Sequence, residues 1–199
     1  MALGFWQTIG TLQAAGTAIT AAARTSMTAG STQARVTLPA SSIKTLGDMI
    51  RVEATGIISC VVTTPGTARF DLAVGATLGS AIMDTQAMPL NIVARTNVPW
   101  FLTMLGTAQT VGTAGLFTWT GSWLSEAFVN TAIQSSAAGP GPGGTMIPWS
   151  GTVTGASTAG AAFDMTVNQI LDLNFTQTVT TGSCQLKQLN ISILTATGF

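Results

Sequence analysis

Alternation of apolar and polar residues over 170–194 constrains this chain more than any other stretch. In Leu171-Asp172-Leu173-Asn174-Phe175-Thr176, the residues Leu171, Leu173 and Phe175 share one phase of a two-residue period, and Asp172, Asn174 and Thr176 share the other. That pattern describes a strand with one face in a core and one in water. Gly182 then offers a turn within Thr178-Val179-Thr180-Thr181-Gly182-Ser183, after which Leu189, Ile191 and Ile193 resume the alternation with Leu186 out of step. Two strands in an antiparallel pair are therefore expected, the second with a β-bulge near Lys187. The β-branched content favours strands over a helix at the same positions.

The remainder of the chain reads the same way. Arg35-Val36-Thr37-Leu38 is a short strand stopped by Pro39, and a longer one over 49–62 sets Ile50, Val52, Ala54, Ile58, Cys60 and Val62 on one phase, with Gly56 as a bend. Thr63-Thr64-Pro65-Gly66 is a turn, followed by a strand with Phe70, Leu72 and Val74 inward. Residues 75–97 read as a connection with a short strand at 90–94. The segment after Pro99 is apolar on both phases, with Trp100, Leu102 and Met104 on one and Phe101 and Leu105 on the other, so it is expected to be buried on both faces or to lie under an oligomer contact. Phe117, Trp119 and Trp123 again share a core phase. Residues 135–162, which include Gly139-Pro140-Gly141-Pro142-Gly143-Gly144, form either a long functional loop or a loop interrupted by a strand around 146–153. About eight strands without helical periodicity predict an all-β fold: an antiparallel β-sandwich, with a jelly roll as first choice, over residues 31–199.

Residues 1–30 read as an extended N-terminal arm. The first charged residue is Arg24, yet no basic residue precedes the apolar part, and Gln7, Gln13 and repeated Gly and Thr interrupt it, so neither a signal peptide nor a membrane span is expected. Gly4, Gly10 and Gly16 each weaken a helix by about 1 kcal/mol relative to Ala, so the arm must gain its order by packing. Two readings stand equally: docking on a partner subunit, or folding over its own core.

Chemistry is sparse. The seven basic and seven acidic residues make up only 7% of the chain, far below the roughly 25% of an ordinary soluble domain. The 34 Thr supply polarity instead, in a side chain that suits strands. Lys44, Lys187 and five scattered Arg form no basic stripe for nucleic acid. With no His, nucleophile–imidazole pairs and imidazole metal sites are removed, and neither cofactor nor metal is expected. Ser41-Ser42-Ile43-Lys44 matches Ser-x-x-Lys without its companion motifs and reads as a polar loop. Seven carboxylates give no reason to choose a glycosidase pair. Cys60 and Cys184 read as buried small hydrophobes, with a disulfide between them as the alternative, and the two sequons at Asn174 and Asn190 as coincidences on solvent-facing strand positions. Trp119 and Trp123, on a core phase, read as core rather than as sugar platforms.

Thr96-Asn97-Val98-Pro99-Trp100, followed beyond the Gly/Pro-rich loop by Asp172-Leu173-Asn174-Phe175-Thr176-Gln177-Thr178-Val179 and Thr181-Gly182-Ser183, resembles small structural proteins encoded beside capsid genes in tailed bacteriophages. The resemblance covers about residues 48–194. It implies a jelly roll that assembles into homotrimers and decorates or cements the outer capsid surface, with the major capsid protein as partner and no catalytic residue. The protein would be made in the host bacterial cytoplasm and reside in the virion. Partner-binding positions are expected at Phe5, Trp6, Ile9 and Leu12 of the arm and at Trp100 and Phe101. Alternatives are a carbohydrate-binding head or tail module, a cryptic hydrolase, or another minor or shell-forming capsid protein.

Overall fold

The computed structural model describes residues 4–12, 14–28, 35–61, 64–75, 78–85, 87–128 and 161–195, together with the backbone of 145–150. These residues form no helix. The first of two sheets, sheet A, contains β1 (Trp6–Thr11), β4 (Met49–Cys60), β8 (Arg95–Thr110), β9 (Leu116–Ser125), β10 (Thr145–Ser150) and β12 (Ser183–Leu194) in the order β1-β12-β4-β8-β9-β10. Sheet B contains β2 (Thr25–Ser26), β3 (Val36–Leu38), β5 (Thr67–Val74), β6 (Ser80–Asp84), β7 (Met88–Pro89) and β11 (Gln169–Gln177). Its order is β2-β11-β5-β6, with β3 also on β11 and β7 also on β5. Every pairing is antiparallel, and the sheets pack face to face as a β-sandwich.

Inward residues of the alternating strands build the core. Phe70 stands at its centre, with its ring centroid 4.7 Å from Trp100, 4.8 Å from Trp123 edge-on, and 5.2 Å from Phe175, its register partner in sheet B. Offset and edge-on aromatic pairs of this kind add to area burial, so this cluster ties one sheet to the other. Two glycines make room for the indoles. A Cβ at Gly56 would stand 2.6 Å from the Trp100 ring, and one at Gly106 would stand 2.7 Å from Trp119. Gly56 therefore lies inside a continuous β4 and is no bend; it is small because the Gln185 carbonyl and the Trp100 ring leave no room for a Cβ.

Several other expectations need correction. The strands either side of Gly182 do not pair with each other: β11 belongs to sheet B and β12 to sheet A, so the 178–182 turn is a corner between sheets. A turn that closes a hairpin and one that changes sheets use the same residues locally, which is why the pattern did not separate them. The irregularity expected near Lys187 is present, as a register shift between Leu186 and Gln188 opposite β4. β8 is buried on one face only, since Phe101 and Thr103 are exposed. Residues 80–84 form a strand that was read as connection, whereas 91–94 lie outside any strand. β10 answers the alternative of a strand within 135–162; the Gly/Pro run at 139–144 lies outside the described residues.

Asp172 and Asn174 do not face water; both are fully buried. Residues 24–28 and the 78–79 turn close over them. Asp172 Oδ1 accepts hydrogen bonds from the hydroxyls of Ser26 (2.6 Å) and Thr28 (2.7 Å), and its Oδ2 accepts one from the Leu78 N–H (3.1 Å). Beside it Asp71 accepts from Arg24 Nε (2.9 Å), Arg24 Nη2 (2.5 Å) and Asn174 Nδ2 (2.9 Å). Arg24 Nη1 donates to the carbonyls of Leu78 (2.9 Å) and Gly79 (3.0 Å). The side-chain hydrogen bonds to Asp71 raise the Arg24 pKa above its ordinary value, against the opposing effect of partial burial.

The segment read as an arm thus joins both sheets of its own sandwich. β1 lines the edge of β12, and the chain continues along that edge through Leu12 N–H to Leu189 O (2.9 Å), Gly16 N–H to Leu186 O (2.9 Å) and an Ile19–Cys184 bridge. It then crosses to sheet B, where β2 and the Met27 N–H (2.9 Å to Leu173 O) extend β11.

Two stability measurements follow. Asp172→Ala removes the acceptor of the Leu78 N–H and of the Ser26 and Thr28 hydroxyls, which keep only each other at 3.1 Å, and lowers unfolding free energy by about 3 kcal/mol, read by urea denaturation. Gly106→Ala, which pushes a methyl into Trp119, costs about 1–3 kcal/mol in the same assay with an unchanged m-value.

Candidate interaction surface

Sheet A presents its outer face to solvent, and strand alternation decides what stands there. β4 contributes Arg51, Glu53, Thr55 and Ile57; β8 contributes Pro99, Phe101, Thr103 and Leu105; β9 contributes Thr118, Thr120, Ser122 and Leu124. Register then gathers the apolar members. Phe101 lies opposite Leu124, and Ile57 lies opposite Pro99, so the four form one patch across three strands. Phe101 is 52% exposed and Leu124 38%. Thr55, Thr103 and Ser122 are its neighbours by register and spacing, none of them charged.

Arg51 and Glu53 approach to 3.6 Å, and the Arg51 guanidinium lies 4.4 Å from the ring centroid of Trp6. Phe5 (73% exposed) and Trp6 (38% exposed) stand at the opposite end of the sheet from the Phe101 patch, beside Leu194. At that end a groove of about 410 Å³ opens between the free side of β1 and residues 39–44, the loop after β3. Its lining includes Gln7, Ile9, Pro39, Ser42, Lys44 and Ile193.

Of the positions expected to meet a partner, Phe5, Trp6 and Phe101 are exposed. Ile9 and Leu12 pack, partly buried, against the chain's own core. Trp100 is fully buried, with its Nε1 donating to Ile57 O at 3.3 Å, and is corrected to a core residue: its side chain points between the sheets while Phe101 points out. Trp119 and Trp123 are likewise in the core, and the Trp149 side chain lies outside the described residues. Ile57, Pro99 and Leu124 were not singled out from the sequence. Leu124 breaks the phase of Phe117, Trp119 and Trp123, which was the one available sign that it points outward.

The other chemistry has structural explanations. Asp48 is buried and accepts from the N–H groups of Lys44 (2.8 Å) and Thr45 (2.9 Å) and from the Thr45 hydroxyl (2.7 Å), closing its own turn. Asp71 and Asp84 carry Arg24 and Arg69 as partners. Ser41 and Lys44 line the same groove, where Ser41 adopts φ 55° in a tight turn. Among the described residues no group of His, Cys, Asp and Glu could hold a metal ion, and no helix is long and apolar enough to cross a membrane.

Cys60 and Cys184 are free and buried. Burial pushes the Cys184 thiol well above its ordinary pKa, against a smaller opposing effect of Trp100, and it raises that of Cys60 as well. A thiol reagent at neutral pH is therefore expected to leave the native chain unlabelled and to label both cysteines in urea, counted by intact mass. No family model matches the chain, and neither a curated protein nor a solved structure matches it.

Proposed function

We propose that this protein is a structural component of a tailed-bacteriophage virion, a capsid decoration or cement protein that stabilises contacts between capsomers. The observation that carries the reading is the Ile57–Pro99–Phe101–Leu124 patch: apolar at its centre, with Thr55, Thr103 and Ser122 among its neighbours, and carried on three paired strands. Interface cores are depleted of charge in this way, and aromatic residues are enriched in them.

Strand order supports the jelly-roll form of the sandwich. β2 and β3 form one edge run along β11, β6 and β7 form another along β5, and β9 with β10 extend sheet A. With β9 and β10 set aside, and β2 with β3 and β6 with β7 each counted as one run, the sheets read 1-8-3-6 and 2-7-4-5. An interleaving of first and last strands of this kind supports a jelly-roll wrapping. Composition agrees with it: a chain with 7% charged residues and 34 Thr suits a surface covered by neighbours.

The mechanism is mechanical. The molecule, assembled as a homotrimer, lies on the outside of the shell at a junction of major capsid protein subunits, and its apolar patches leave water against them. A stable contact buries about 800 Å² per partner, and apolar burial contributes roughly 25 cal/mol per Å² before association costs. Three copies repeat that gain about one axis. For the alternative of a sugar-binding module, Trp100, Trp119 and Trp123 are in the core, Trp6 is exposed, and the Trp149 side chain lies outside the described residues.

Particles with and without this chain test the reading. Wild-type chain is expected to co-purify with particles, add an external protrusion in low-resolution images and raise their heat resistance. Phe101→Asp and Leu124→Asp, at exposed positions, are expected to keep the fold by circular dichroism and lose attachment. Absence of the wild-type chain from purified particles overturns the assignment.

A further inference from the structure

We draw no further inference here: the strongest candidate, the strip on the outer face of sheet A where the exposed Trp6 ring meets Arg51, Glu53 and Asn190, carries nothing because Arg51 already stacks on that ring at 4.4 Å, Asn190 already donates to Glu53 at 3.1 Å, and nothing in the structure shows what covers the rest.

Discussion

Everything distinctive about this sandwich depends on two buried carboxylates. Asp71 and Asp172 stand on the outer side of sheet B, where an ionised side chain would ordinarily be left to water, and residues 24–28 are drawn over them by Arg24, Ser26 and Thr28. Removing a carboxylate from water is expensive, and the cost is offset only if its lone pairs are filled with good geometry. Here five side-chain donor atoms and the Leu78 N–H meet the two groups, counted from the bonds to Asp71 and Asp172. An apolar arm with repeated glycines is thereby fixed in cis.

That fixation decides the other end of the arm. Once residues 24–28 are held on sheet B, the chain preceding them has to cross the side of the sandwich, and it does so along the free edge of β12. β1 then becomes an edge strand of sheet A, with Gly10 close against the Val36 side chain of sheet B. The groove beside it exists because β1 and the loop after β3 belong to different sheets and meet only at this seam.

Scarcity of charge has a second consequence. Four of the five arginines have a carboxylate within 4.0 Å, and few charged side chains are present in the chain at all. Threonine and serine hydroxyls keep the outer face of sheet A wet without repelling an approaching protein surface. Such a face is easily dehydrated when a partner covers it, because uncharged hydroxyls lose less solvation than ions do. The Phe101–Leu124 pair sits in this setting and supplies apolar area.

The sequence by itself determined the class of fold, the position of most long strands and the identity of the aromatic core. Alternation with period two is a property of the extended backbone and survives any choice of neighbours, so Phe70, Leu72, Phe117, Trp119, Trp123, Leu171 and Leu173 could be placed inward from the string alone. Even the irregularity beside Lys187 was legible, as a break in phase. Alternation says which residues share a face; it does not say what lies against that face. Asp172 and Asn174 read as solvated because polar residues usually are, and only tertiary structure could bring Arg24, Ser26 and Thr28 over them from more than a hundred residues away. Trp100 and Phe101 are adjacent and equally apolar, so which one points to the core was decided by register with β4 and β9. The 178–182 turn, the Phe101–Leu124 patch and the β1 groove were decided the same way, by contacts between segments remote in sequence, for which a local pattern holds no information.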